Sequence, residues 1–187
     1  MIGLDLQIVR IIKDGFKSLL YNLDGERKKP FPIYLWFVII PSILLGLSIG
    51  LKLSISNDSI NLIVTVLGIF TALIFGSLFI APDKFNQRII LYKDKIIDKP
   101  TKNYLKRFEF FAEIFVEQIS LIIVVSIFVI IILLLTNLIN SAIIKVILSS
   151  VSFALSFIFI MLLFVLLSNI YILLKDDIRI TARLNKK

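Results

Sequence analysis

Charged residues punctuate this chain in blocks. Asp, Glu, Lys and Arg are absent from 30–51, 59–82, 118–144 and 146–174, runs of 22, 24, 27 and 29 residues. A helix needs about 20 apolar residues to cross a hydrocarbon layer about 30 Å thick. Each run is long enough. In lipid, backbone polar groups must find partners within their own segment, so each run predicts a helix. The expected spans cover about 31–51, 60–80, 114–138 and 142–174. Pro41 lies inside the first, removes a backbone donor and is expected to kink it. The fourth run reaches about 43 Å and must tilt or project beyond the membrane.

The segments between these runs have patterns of their own. Over residues 2–23, Ile8, Ile12, Phe16, Leu19, Leu20 and Leu23 fall on one side of a helix, opposite Arg10, Lys13, Asp14 and Lys17. This predicts an amphipathic helix, lying on the inner leaflet or packed on the protein's own cytosolic stem. Residues 24–32, DGERKKPFP, read as a turn and a basic anchor. Residues 81–118 read as a helical hairpin that continues spans two and three, with a turn at 98–100 and Thr101 capping the return helix. The expected organisation is an N-terminal helical segment (1–29), a four-span domain (30–174) and a basic tail (175–187). The fold class is all-α: an integral membrane four-helix bundle with cytosolic helical extensions.

Charge sets the orientation. Nineteen of the 21 Lys and Arg residues lie in the N-terminal segment, the middle connection or the tail; the other two are Lys52 and Lys145. Basic flanks stay inside, so both termini and the hairpin are expected in the cytosol and the protein in the inner (plasma) membrane. Tyr34, Trp36 and Tyr171 at the inner span ends fit an interfacial belt. The formal charge of +8 is then explained by topology and anionic head groups, with no direct nucleic-acid partner. The first 20 residues carry too many charges for a cleaved signal peptide. Composition agrees with the spans: 58% of residues are hydrophobic and the mean hydropathy is +0.98.

Two stretches keep a small residue at every fourth position: Ser42, Gly46 and Gly50, then Gly68, Ala72 and Gly76. Positions i, i+4 and i+8 share a helix face. Helices in lipid associate by close packing, which small residues allow. The simplest expectation is that the two faces meet each other; the second is that one meets a neighbouring subunit. In the hairpin, an antiparallel register sets Lys84 level with Glu117 and Arg88 level with Glu113, predicting a cytosolic charge ladder. The competing reading is a solvated polar face. Ser149, Ser152 and Ser156 share a face of span four, either lining a narrow wet path or bonding to helix backbone and neighbours.

Several chemistries lack their residues. There is no histidine and no cysteine, so His-based zinc motifs and thiol chemistry are excluded. No span carries an ionisable group at its centre, which argues against a proton-coupled transporter. Neither a nucleophile elbow nor a phosphate-binding glycine loop is present. No enzyme activity, cofactor or metal is expected.

FTALIFGSLFIAPDKF (70–85), LLSNIYILLKDDI (166–178) and the overall plan resemble small four-span membrane proteins of bacterial anti-phage defence systems. The Kiwa membrane component and the membrane partners of some CRISPR effectors are examples. The resemblance implies a homo-oligomer, surrounded by membrane lipids, that recruits a cytosolic protein partner or disturbs the membrane during infection. The two function classes that follow are a non-enzymatic scaffold or sensor, and a channel or pore-forming effector.

Overall fold

The computed structural model describes the backbone of residues 2–93 and 99–184. It describes their side chains except at 2–6, 79–86, 88, 89, 91–93, 99–101, 180, 181, 183 and 184. The chain is all-helical. In order come α1 (Ile2–Ser18), α2 (Pro30–Tyr34), a π-helical turn (Leu35–Ile39), α3 (Ile40–Gly50), α4 (Asn57–Lys93), α5 (Lys99–Leu138) and α6 (Ala142–Leu184). Among the described residues, four stretches are long and apolar enough to cross a membrane: Pro30–Gly50, Asn57–Leu78, Lys102–Leu138 and Ala142–Arg179. Each overlaps one of the four charge-free runs.

The helix ends follow from local chemistry. Pro30 occupies the first turn of α2, where its missing N–H breaks no helical bond. A π turn stands just before Pro41, where the sequence predicts a kink. The Ile40 N–H reaches back five residues to the Leu35 carbonyl. A proline ring crowds the carbonyl four residues earlier, and a widened turn relieves that clash. At the other end, Lys52 N–H donates to the Ile49 carbonyl and Leu53 N–H to the Ser48 carbonyl, at 3.0 and 2.9 Å. This is a Schellman motif with lysine, φ 51°, in the left-handed position. Ser56 Oγ accepts the Ser59 N–H at 3.3 Å and starts α4. The return helix α5 begins at Lys99, two residues before the expected Thr101 cap, because Pro100 fits a first turn.

The chain forms two compact units. The first comprises Met1–Lys28, Gly76–Ser120 and Phe164–Lys187. Its described core holds Leu19, Leu23, Phe108, Phe111, Ile114, Ile119 and Leu173. The second comprises Lys29–Phe75 and Leu121–Leu163. Helices α4, α5 and α6 each contribute to both.

The second unit inverts the polarity of a water-soluble protein. Ser126, Thr136, Ser149, Ser150 and Ser152 are fully or almost fully buried, while Ile43, Leu47, Leu62 and Leu73 are more than half exposed. Most of the buried hydroxyls find partners on their own helix or on a neighbouring one. Thr71 Oγ1 donates to the Leu67 carbonyl at 2.6 Å and lies 2.8 Å from Ser126 Oγ. Thr136 and Ser150 donate to carbonyls four residues back. Outward leucine costs nothing when the surroundings are hydrocarbon, whereas an outward hydroxyl there lacks a partner. This is the packing of a chain whose solvent is lipid.

Candidate functional site

The described polar groups of the first unit converge on the loop that follows α1. Ser18 Oγ donates to the Gly15 carbonyl at 2.7 Å and closes the helix. Asn22 Oδ1 then accepts the N–H groups of Asp24 and Glu26, at 3.0 and 2.9 Å. This Asx turn is completed by Gly25 at φ 76°. The Asn22 N–H donates to the Glu26 carbonyl at 2.9 Å and the Lys28 N–H to the Leu20 carbonyl at 2.7 Å. The buried Leu23 pins the loop. The sequence reading of 24–32 as a turn holds for the residues that close it.

This folded loop presents Asp24 to Arg107 of α5. The Arg107 guanidinium donates through Nε to Asp24 Oδ1 and through Nη1 to Asp176 Oδ2 of α6, the second at 3.0 Å. One turn earlier on α5, the Tyr104 hydroxyl donates to Asp177 Oδ1 at 2.9 Å. One arginine therefore joins three segments. All three are partly exposed, so water screens the pairs and each contributes about 1 kcal/mol at most.

Three cavities surround this knot. The largest, about 580 Å³, is lined by Asp24, Asn103, Lys106, Arg107, Asp176 and Arg179, among others. A second, about 310 Å³, is lined by Asn22, Leu23, Asp24, Lys28, Arg107, Ser168, Asn169 and Ile172. Burial of Lys28 beside it holds that ammonium below the ordinary lysine range. The third, about 220 Å³, is bounded by Lys17, Ser18 and Tyr21 on one side and Phe110, Glu113, Ile114 and Glu117 on the other. The C-terminal end of α1 thus lies against α5. Tyr21 meets Phe110 edge to face, ring centroids 6.5 Å apart.

Deeper in the unit, Asn169 Nδ2 donates to Gln118 Oε1 at 3.2 Å. Both side chains are buried, and Gln118 Nε2 has no partner.

The residues singled out from sequence are placed as follows. Ser42, Gly46 and Gly50 are exposed, as is Ala72, while Gly68 and Gly76 are half-buried. A Cβ added at any of the four glycines would meet nothing within 4 Å. The structure therefore does not press the two stripes together within one chain. Spacing defines a flat face but not what lies opposite it. Glu113 and Glu117 line the third cavity with Lys17, on the α1 side. The basic half of the ladder, the Lys84 and Arg88 side chains, lies outside the described residues. Ser149 Oγ is buried and accepts the Ile55 N–H at 3.2 Å, pinning the outer loop. Ser152 Oγ is buried without a partner, and Ser156 is half-buried.

The sequence reading missed Asp24, Arg107 and Asp176 as a cluster, because the bonds join residues 83 and 69 positions apart. Gln118 and Asn169 had a usable signal. They are uncharged amides at the inner ends of two long apolar runs, where a polar side chain is retained only with a partner.

Comparisons with protein-family models, with curated proteins and with solved structures return no match.

Proposed function

We propose that this protein is a non-enzymatic, oligomeric scaffold or sensor of the bacterial inner membrane, with both termini in the cytosol, that docks a cytosolic protein partner in anti-phage defence. The observation that carries this reading is the first unit. There the Arg107 knot holds three segments around a cavity of about 580 Å³ bearing charges of both signs. A unit that only anchored spans would need no such recess. A partly exposed surface with fixed charges of both signs selects partners by electrostatic complementarity. The exposed faces at Gly46 and Gly50 leave room for the helix of a neighbouring copy.

The test is expression of the chain with and without its neighbouring genes, read by a membrane-potential dye and by co-purification. A scaffold leaves the potential intact when expressed alone and retains a soluble protein encoded beside it. Substituting Lys106→Glu together with Arg179→Glu, on the cavity rim, should release that protein. Prompt depolarisation by the chain alone would instead establish the pore-forming alternative.

A further inference from the structure

The cavity of about 310 Å³ has a composition that the scaffold reading does not use. Its charged lining is Lys28 and Arg107 against Asp24, and Asp176 bonds Arg107 from outside that lining, so both carboxylates belong to Arg107 and Lys28 has none. The pairing within it is uneven. Arg107 spends Nε on Asp24 and Nη1 on Asp176, so its Nη2 carries no hydrogen bond among the described residues. The half-buried Lys28 ammonium has no hydrogen bond or ion pair among the described residues. The Ser168 hydroxyl is likewise uncommitted. Asn22 is engaged in the loop itself: its Oδ1 closes the Asx turn and its Nδ2 donates to Glu26 at 3.2 Å.

A half-desolvated ammonium, a spare guanidinium edge and a hydroxyl are donors without an acceptor. Partly buried cations are costly unless an anion or oxygen ligands meet them. One unpaired ammonium suits a phosphodiester, which carries one negative charge. Position points to lipid. Lys28 lies two residues before the first span begins, and Ser168, Asn169 and Ile172 lie in the last third of the fourth. On α6, the exposed Leu167, Tyr171, Ile172 and Leu174 give the same region an apolar flank, as acyl chains require. A choline head group would bring its own cation beside the Lys28 ammonium.

We propose that this cavity binds the phosphodiester of one anionic phospholipid, seated on Lys28, Arg107 and Ser168 at the membrane boundary. The site anchors the loop of residues 19–28 to the bilayer and so ties the α1 unit to lipid composition. The shared chemistry is a phosphate oxyanion, and a soluble phosphate is the competing source.

The test uses the full chain in phosphatidylcholine vesicles with and without phosphatidylglycerol, followed by native mass spectrometry of the gently extracted protein. Both leaflets of such vesicles carry the anionic lipid, so the result does not depend on which way the chain is inserted. The expected result is one phosphatidylglycerol retained per chain. Lys28→Gln should weaken retention about fivefold, the equivalent of about 1 kcal/mol for one cation at a lipid surface. Lys28→Arg should restore it and Ser168→Ala should weaken it less. Lys29→Gln removes an exposed cation that does not line the cavity, and it should leave retention unchanged. Equal loss with Lys28→Gln and Lys29→Gln would overturn the proposal in favour of diffuse surface charge. Absence of any preference over phosphatidylcholine would overturn it too, as would displacement of the lipid by inorganic phosphate.

Discussion

At Lys52 and Gly25 the backbone enters the left-handed region, the two positive-φ positions among the described residues. The left-handed conformation costs an L-residue roughly 1–2 kcal/mol, a penalty glycine escapes. Opposite substitutions should therefore have opposite signs. Lys52→Gly relieves the Schellman position and should stabilise the chain by up to about 1 kcal/mol, whereas Gly25→Ala should cost about 1–2 kcal/mol. No atom lies within 4 Å of a Cβ at Gly25, so that cost is conformational rather than steric. Thermal unfolding in a mild detergent, with both variants beside the parent, checks the pair. Lys28 makes a third prediction at this scale. Burial lowers its folded-state pKa, so the folded chain binds fewer protons than the unfolded one in alkaline solution. Stability should rise with pH between the lowered folded value and the ordinary lysine value. In phosphatidylcholine vesicles, Lys28→Gln should abolish that rise.

At the scale of elements, interhelical hydrogen bonds and backbone proximity replace the hydrophobic effect. Asn169–Gln118 joins α6 to α5 in one unit, and Thr71–Ser126 joins α4 to α5 in the other. Bonds of this kind in lipid are worth about 0.6 kcal/mol on average and up to about 1.7. Asn169→Ala should cost about that much plus the penalty of orphaning Gln118 Oε1. Asn169→Ala combined with Gln118→Leu should recover part of the loss, since replacing both partners leaves no buried polar atom. A double-mutant cycle by steric-trap or detergent unfolding measures the coupling. The open glycine faces give a contrasting case. Gly46→Leu has space around it in the single chain, so it should leave monomer stability within about 0.5 kcal/mol while dissociating any oligomer that uses that face. Size-exclusion chromatography with light scattering separates the two effects.

What could be read in the sequence divides along the same line. The four apolar helices and the turn within 24–32 rest on neighbours within one helix turn or one charge-free run, and local spacing carries them. The Arg107 knot does not. Nothing marks Arg107 among eight basic residues of the middle connection until the fold brings Asp24 and Asp176 to it. The small-residue stripes sit between these cases: their spacing is local, but their partner is not.

For the whole molecule, the decisive feature is its inverted polarity: hydroxyls such as Ser126, Thr136 and Ser149 buried, leucines such as Leu62 and Leu73 facing outward. That arrangement makes sense only if lipid surrounds the spans, and four spans place the N- and C-termini on one side. The absence of cysteine permits a direct measurement, because any thiol introduced is the sole target of a maleimide. Asn140 lies in the loop between α5 and α6, and Ala182 lies near the end of α6; both are exposed. In spheroplasts treated with a membrane-impermeant maleimide, Asn140→Cys should label at once and Ala182→Cys only after the membrane is opened by detergent. Labelling of Ala182→Cys in sealed spheroplasts, or equal labelling of both before detergent, would contradict a chain that crosses the inner membrane four times with its C-terminus inside.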